Sequence, residues 1–277
     1  MPRPLKRPAV PPVKRFAEER GLPVFQPASL KREGVRQELS ALSPNVIVVA
    51  AYGRIIPPDI LGLPPLGCVN VHPSLLPRYR GPSPVATAVL NGDAVTGVTI
   101  MKLDEGMDTG PILAARETRI EPDEMADALT ARLFEQGASL LVETLPMWAT
   151  GKIEARPQDS DRATTTRLLS KEDGEIDWGV DAARIARQVR AFYPWPGTYT
   201  RWAGRLLKVL EAHAAPVAAP SPAPTAEVVL LPDGGLAVRS GDGMLVIDRL
   251  QLEGRRAATA AQFLLGHPDF VGARLGS

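Results

Sequence analysis

Apolar positions recur along the first half of the chain in two alternating rhythms. "PPVKRFAEERG" (11–21) opens on proline and closes on Gly21, with Val13, Phe16 and Ala17 on one side. That is the 3.6-residue pattern of an amphipathic helix. "LPVFQP" (22–27) reads as a short strand and "LKREGVRQELSAL" (30–42) as a second amphipathic helix. In "NVIVVAAYG" (45–53) β-branched residues occupy both faces, as in a strand buried within a parallel sheet. "GCVNVHPSL" (67–75), "GVTIMKLD" (97–104) and "PILAARETRI" (111–120) follow as strands, with a helix over 82–92 between the first two. A long helix is predicted over 123–151, where Met125, Leu129, Leu133, Leu140, Leu141 and Leu145 fall near helical spacing. Strands alternating with helices predict an open α/β sheet.

From about residue 154 the rhythm fades. "EARPQDSDRATTTRLLSKEDG" (154–174) is polar and aperiodic, the pattern of a linker crossing the surface. Beyond it come a helix over 181–192 and short strands within 197–212, 226–240 and 242–254. Asp233-Gly234 and Asp242-Gly243 are hairpin-type turns, so this part reads as a small OB-like β-barrel. The chain thus divides into a sheet domain over 1–153, a linker over 154–172 and a barrel domain over 173–277. The Pro/Ala-rich stretch 213–225 reads as an exposed, functionally silent loop within the barrel.

A length of 277 residues suits two domains, and 44% hydrophobic with 23% charged residues is the balance of a globular protein. The net charge of +1 supplies no overall field for nucleic acid, although a local patch still can. Cys68 is the sole cysteine, which excludes an intramolecular disulfide and fits a reducing, cytoplasmic setting. The apolar run 46–51 is far too short to span a bilayer, and the basic N-terminus has no apolar core of the signal-peptide kind.

The familiar catalytic motifs do not occur. The sequence lacks G-x-G-x-x-G, a phosphate-binding Walker loop, H-E-x-x-H and a G-x-S-x-G elbow, and three scattered histidines do not assemble a metal site. Two features remain. Asn70 and His72 lie two apart on one strand, so their side chains leave the same face roughly 6–7 Å apart, at the strand end where α/β sheets bind ligands. "DEGMDTGP" (104–111) adds a tight loop bearing Asp104, Glu105 and Asp108. An amide and an imidazole can both donate to a developing oxyanion, and a carboxylate can favour the charged imidazole or accept a proton. With no nucleophile in the set, the residues point to transfer of an acyl group to an amine brought by the substrate. Asp-Thr-Gly is also a common turn, and "RYR" (78–80) also fits a solvated loop.

"VNVHPSLLPRYRGPSP", followed some 35 residues later by "MDTG", resembles the folate-dependent formyltransferases, whose pattern is N-x-H-x-S-L-L-P and then D-x-G-x-D-T-G. "LPVFQP", "VVAAYGRIIP", "TGVTIMKLDEGMDTGPIL", "LSKEDGEIDW" and "VRAFYPWPGTYT" extend the likeness over essentially the whole chain, toward the branch that acts on methionyl-tRNA. The resemblance implies a Rossmann-like doubly wound sheet followed by an OB-like domain. It also implies that Asn70 and His72 bind and polarise the formyl oxygen of 10-formyltetrahydrofolate while Asp108 manages the amine proton. Ser74, Leu75, Leu76 and Pro77 would border the folate, and residues 51–56 would line its pterin pocket. The acceptor would be initiator methionyl-tRNA, held by the barrel domain of a cytoplasmic monomer, with no metal and no membrane.

Residues 171–277 carry 12 Lys plus Arg and 12 Asp plus Glu, so an RNA-binding face must come from distribution, as with Arg201, Arg205, Lys208, Arg255 and Arg256. Arg3, Lys6, Arg7, Lys14 and Arg15 form a second basic cluster, matching a family loop that reaches the tRNA acceptor arm. The family opens with a strand, a Gly-rich turn, a helix and a strand before that loop, whereas this chain begins within it. The expectation is therefore an N-terminally truncated sheet, in-frame coding sequence for about 30–40 further residues upstream, and a product from Met1 that is insoluble or binds folate poorly. Two other functions are compatible with the motifs. One is formyl transfer to a small-molecule amine on a ribonucleotide or sugar. The other is RNA binding by a non-catalytic relict.

Overall fold

The computed structural model describes residues 10–215 and 225–276. Arg3, Lys6, Arg7 and most of the 213–225 loop lie outside those residues.

The chain begins with helices α1 (Pro12–Glu19) and α2 (Val35–Ala41), strand β1 (Ile47–Ala50), a short helix α3 (Pro58–Leu61) and strand β2 (Cys68–His72). Helix α4 (Pro84–Asn91), strands β3 (Val95–Lys102) and β4 (Ile112–Arg119) and the long helix α5 (Ala126–Ala149) complete the first unit. The four strands form one mixed sheet in the order β1-β2-β3-β4, with β1 parallel to β2 and the other pairs antiparallel.

Three expectations need correcting. Residues 22–27 form no strand: Pro23 and Pro27 lack an N–H for a ladder, and Leu22, Val24 and Phe25 are exposed. Helix α2 starts at Val35, because Gly34 adopts a left-handed φ of 89° and breaks the turn before it. Strand β1 is not buried on both faces. Among the described residues it pairs with β2 alone, and Val48 is 43% exposed.

Helix α5 sits on one face of the sheet. Val69, Val71, Val98, Ile100, Leu113 and Leu140 form the buried cluster between them. Gly137 makes that approach close: a Cβ there would lie 2.5 Å from Val71 Cγ1 and 2.9 Å from Val98 Cγ2. Replacing a helical glycine gains up to about 1 kcal/mol in propensity, but overpacking a tight core costs about 1–3 kcal/mol, so the clash wins. Gly137→Leu is expected to lower the melting temperature by a few degrees, up to about 8 °C. An unchanged or higher melting temperature would contradict this packing. Because Val69 and Val71 face α5, pleating turns Cys68, Asn70 and His72 to the other side.

The second unit starts with helix α6 (Ala182–Ala191). Strands β5 (Thr198–Trp202), β6 (Arg205–Ala215), β7 (Val228–Leu230), β8 (Leu236–Arg239), β9 (Met244–Leu252) and β10 (Ala258–Thr259) follow, and then helix α7 (Ala260–Gly266). The strands make a curled antiparallel sheet, β5-β6-β9-β8-β7, with β10 added on β9. The C-terminal segment draws the two edges together: Gly272 N and Leu275 N donate to Val228 O and Ala226 O, and Gly276 N donates to Arg201 O. The expected turns occur at Gly234 and Gly243, both with positive φ.

Helix α6 belongs to both units. Ile185, Ala186 and Val189 enter the core of the curled sheet, while Ala191 and Phe192, at and just past its end, join Val85, Val89, Ala126, Leu129 and Leu133 from α4 and α5. Arg184 and Arg187 also donate to Leu90 O at the end of α4. Among the described residues no helix is long and apolar enough to cross a membrane.

Candidate active site

Strand β2 places Asn70 opposite Val49 of β1 and Met101 of β3, and His72 opposite Thr99. Asn70 is half-buried and spends none of its side-chain hydrogen bonds on the described protein, whereas His72 is only 4% exposed. His72 Nε2 lies 2.9 Å from Tyr79 O. A carbonyl only accepts, so Nε2 carries a proton and donates to it, which leaves Nδ1 as the ring nitrogen on the other side. That Nδ1 faces Asp108 Oδ2 at 3.6 Å. The gap is slightly longer than a hydrogen bond, and a proton placed between the two atoms can be shared by them.

Asp108 reaches this place by an indirect route. Because β3 is antiparallel to β2, the chain leaves β3 beside Cys68, where Leu103 N donates to Cys68 O at 2.7 Å. That is the edge opposite His72, and the 104–110 loop folds back over the sheet to bring Asp108 in. Asp108 adopts a left-handed φ of 54°, unusual for a residue with a side chain, and its Oδ2 accepts from Gly81 N at 2.8 Å. Of the other two carboxylates, Asp104 is used within the turn, accepting from Gly106 N and Thr109 Oγ1, and Glu105 is exposed.

The loop after β2 is fixed from below. Buried Thr99 donates to Ser74 O at 2.6 Å and accepts from Leu76 N at 3.1 Å. Ser74 is fully buried and its hydroxyl donates to Arg78 O, so this side chain shapes the loop. Leu76 is buried, while Leu75 and Pro77 are half-buried. Tyr79 anchors the far end: its hydroxyl donates to Asp93 Oδ2 at 2.7 Å, and burial pushes that hydroxyl above the ordinary tyrosine range, which keeps it a donor. Next to β1, Tyr52, Arg54 and Ile55 line a cavity of about 370 Å³ together with Ser29, Leu30, Lys31 and Pro57.

Segment 154–172 was expected to cross the surface as a plain connection, but much of it is bound to the site. Thr164 N donates to Pro77 O, Arg80 N to Thr164 O and Thr166 N to Arg80 O, and Tyr79 N donates to Thr164 Oγ1. Gln158 bonds to Arg80, Asp108 and Gly110. Gly81 has no room for a Cβ, which would lie 2.8 Å from Thr166 O. Sequence reasoning missed Gln158, Thr164, Thr166 and Tyr79, because long-range hydrogen bonds leave no periodic trace. Among the described residues no cluster of His, Cys, Asp and Glu is arranged to hold a metal ion.

Two family models match the chain: formyl transferase over residues 3–145 and the formyl transferase C-terminal domain over 168–268. The methionyl-tRNA formyltransferase of Roseiflexus castenholzii is 50% identical over 271 residues, covering 98% of this chain and 86% of the relative. That of Chloroflexus aggregans is 49% identical, covering 92% and 82%. Among solved structures, the methionyl-tRNA formyltransferase of Clostridium thermocellum superposes with a TM-score of 0.57 at 18% identity, covering 84% of this chain and 92% of that one. HypX of Aquifex aeolicus, solved with tetrahydrofolic acid, gives 0.63 at 21% identity, covering 85% of this chain and 41% of that one. At those identities the structures speak for the fold alone, but the family models and the near-full-length relatives carry the assignment: the chain belongs to the methionyl-tRNA formyltransferase family.

Proposed function

We propose that Asn70, His72 and Asp108 carry out transfer of a formyl group from 10-formyltetrahydrofolate to the α-amine of methionyl-tRNA. The observation that carries this reading is the His72–Asp108 pair, with Nδ1 and Oδ2 3.6 Å apart and each group oriented from behind by a main-chain partner. Asn70 stands on the same strand face, its amide making no hydrogen bond to the described residues. In this reading Asn70 and His72, through a proton on Nδ1, donate to the formyl oxygen as it gains negative charge, in a site where fixed dipoles need no reorganisation. Asp108 takes the proton that the attacking amine loses, and the folate nitrogen gains one as it leaves. No covalent enzyme intermediate is needed.

Ser74–Pro77 border the folate in this scheme, and the cavity beside Tyr52, Arg54 and Ile55 accepts the pterin. Aromatic, aliphatic and cationic side chains at a sheet edge suit a flat heterocycle with polar edges. The tRNA lies along the second unit, at the end where Arg201, Arg205, Lys208, Arg255 and Arg256 are exposed. We further read the protein as a cytoplasmic monomer that uses no metal.

The direct test is transfer of labelled formyl from 10-formyltetrahydrofolate to methionyl-tRNA. Asn70→Ala is expected to lower kcat about a hundredfold, the order for a lost oxyanion donor, with KM for the folate changed only a few-fold. A fall in folate affinity at unchanged kcat would reassign Asn70 to ground-state binding.

A further inference from the structure

Between Arg156 and Arg162 every side chain is exposed except Gln158, which turns inward. Its amide Nε2 donates to Asp108 O at 2.8 Å and to Gly110 O at 2.7 Å, and its Oε1 accepts from Arg80 Nε at 3.0 Å. Both N–H donors are therefore spent on the turn that carries Asp108, and the acceptor is spent on the neighbouring loop. Asp108 needs such support, because its φ of 54° is one that a residue with a side chain holds only when its surroundings impose it. The same loop supplies Gly81 N, which holds the Asp108 carboxylate, and Tyr79 O, which holds His72. Among the described residues Gln158 is thus the one side chain bonded to both walls between which His72 and Asp108 meet.

We propose that Gln158 is a positioning residue for the transfer reaction, fixing the Asp108 backbone so that its carboxylate faces His72. The inference rests on the reading of Asp108 as a participant in the chemistry. Gln158 touches neither substrate in this account. It acts through Asp108, and a shift of an ångström in a reacting group costs as much as a hundredfold in rate.

The test measures formyl-transfer kinetics of the full chain with Gln158→Glu and Gln158→Ala, each made alone and together with Asp108→Asn. Gln158→Glu preserves shape but replaces a donor by an acceptor opposite two carbonyls. Both single variants are expected to lose about ten- to a hundredfold in kcat, with KM for both substrates within about threefold. In the Asp108→Asn background, the same changes are expected to cost less than about threefold more, because the group being positioned is already disabled. A purely structural role gives equal losses in both backgrounds, and that result overturns the proposal, as does near-parental kcat in both single variants. If Asp108→Asn alone leaves turnover intact, the site assignment itself fails and the proposal with it. Loss at Asp108 with indifference at Gln158 overturns the proposal alone.

Discussion

Asp108→Asn should lower the turnover of formyl transfer on the order of a thousandfold, and His72→Ala by a hundredfold or more, with folate binding changed far less. The two substitutions remove different things. Asparagine keeps an oxygen for Gly81 N, so the hydrogen bond at 2.8 Å that orients the side chain survives while the proton acceptor is lost. Alanine at 72 removes the group bonded to Tyr79 O and leaves that carbonyl unpaired in a buried place, adding about 1–3 kcal/mol of destabilisation to the catalytic loss. Thermal unfolding of both variants separates the two effects, because a chemical role predicts near-parental stability for Asp108→Asn. Turnover within a few-fold of the parent in both would sink the catalytic assignment.

Replacing Arg201, Arg205, Arg255 and Arg256 together by alanine should weaken methionyl-tRNA binding roughly a hundredfold or more at low salt and leave folate binding intact. Among the described residues none of these four takes part in an ion pair, whereas Arg239 and Arg249 are tied to Glu227 and Glu211. The backbone segments of the four are neighbours, with Arg256 next to Arg255 in sequence. Arg201 pairs in register with Leu206, Arg205 Nη2 donates to Glu253 O, and Gln251 Nε2 donates to Arg255 O. Each phosphate contact contributes about 0.7–0.9 to the slope of log affinity against log salt, so the variant's slope should be shallower by about 3. An unchanged slope would remove this surface from the tRNA site. Deleting the chain from residue 173 is a poorer experiment, since it strips Ala191 and Phe192 from the core beneath α4 and α5.

What the sequence revealed and what it hid follow one physical line. Strong local rhythm was legible: α5, β3, β4 and α6 fall within a few residues of where their patterns put them. Asn70 and His72 could be placed on one face because a strand's period of two fixes it. Where long-range pairing decides, reading failed. Residues 22–27 have the composition of a strand but no described neighbour that pairs with them, and Val48 is exposed although its flanks are as apolar as a buried strand's. Residue types alone left Asp104, Glu105 and Asp108 equivalent, and family resemblance singled out Asp108. Geometry separates them because the loop doubles back. Gln158 lies in a stretch without periodicity, and its hydrogen-bond partners are 78, 50 and 48 residues away.

The binding of segment 156–166 to the site bears on how members of this family can exchange parts during evolution or in the laboratory. Arg156 bridges to Ile112 and Thr165 to Arg80, so this stretch is stitched to the N-terminal half although it precedes the C-terminal one in an ordinary division of the chain. The two family models leave residues 146–167 between them. A chimera spliced near residue 150 inherits a foreign Gln158–Thr166 stretch that must fit the host's 78–81 and 104–110 loops, whereas a splice just past Arg167 keeps those partners together. Crossovers that survive selection should therefore cluster after Arg167, with the C-terminal half free to diverge downstream of that seam.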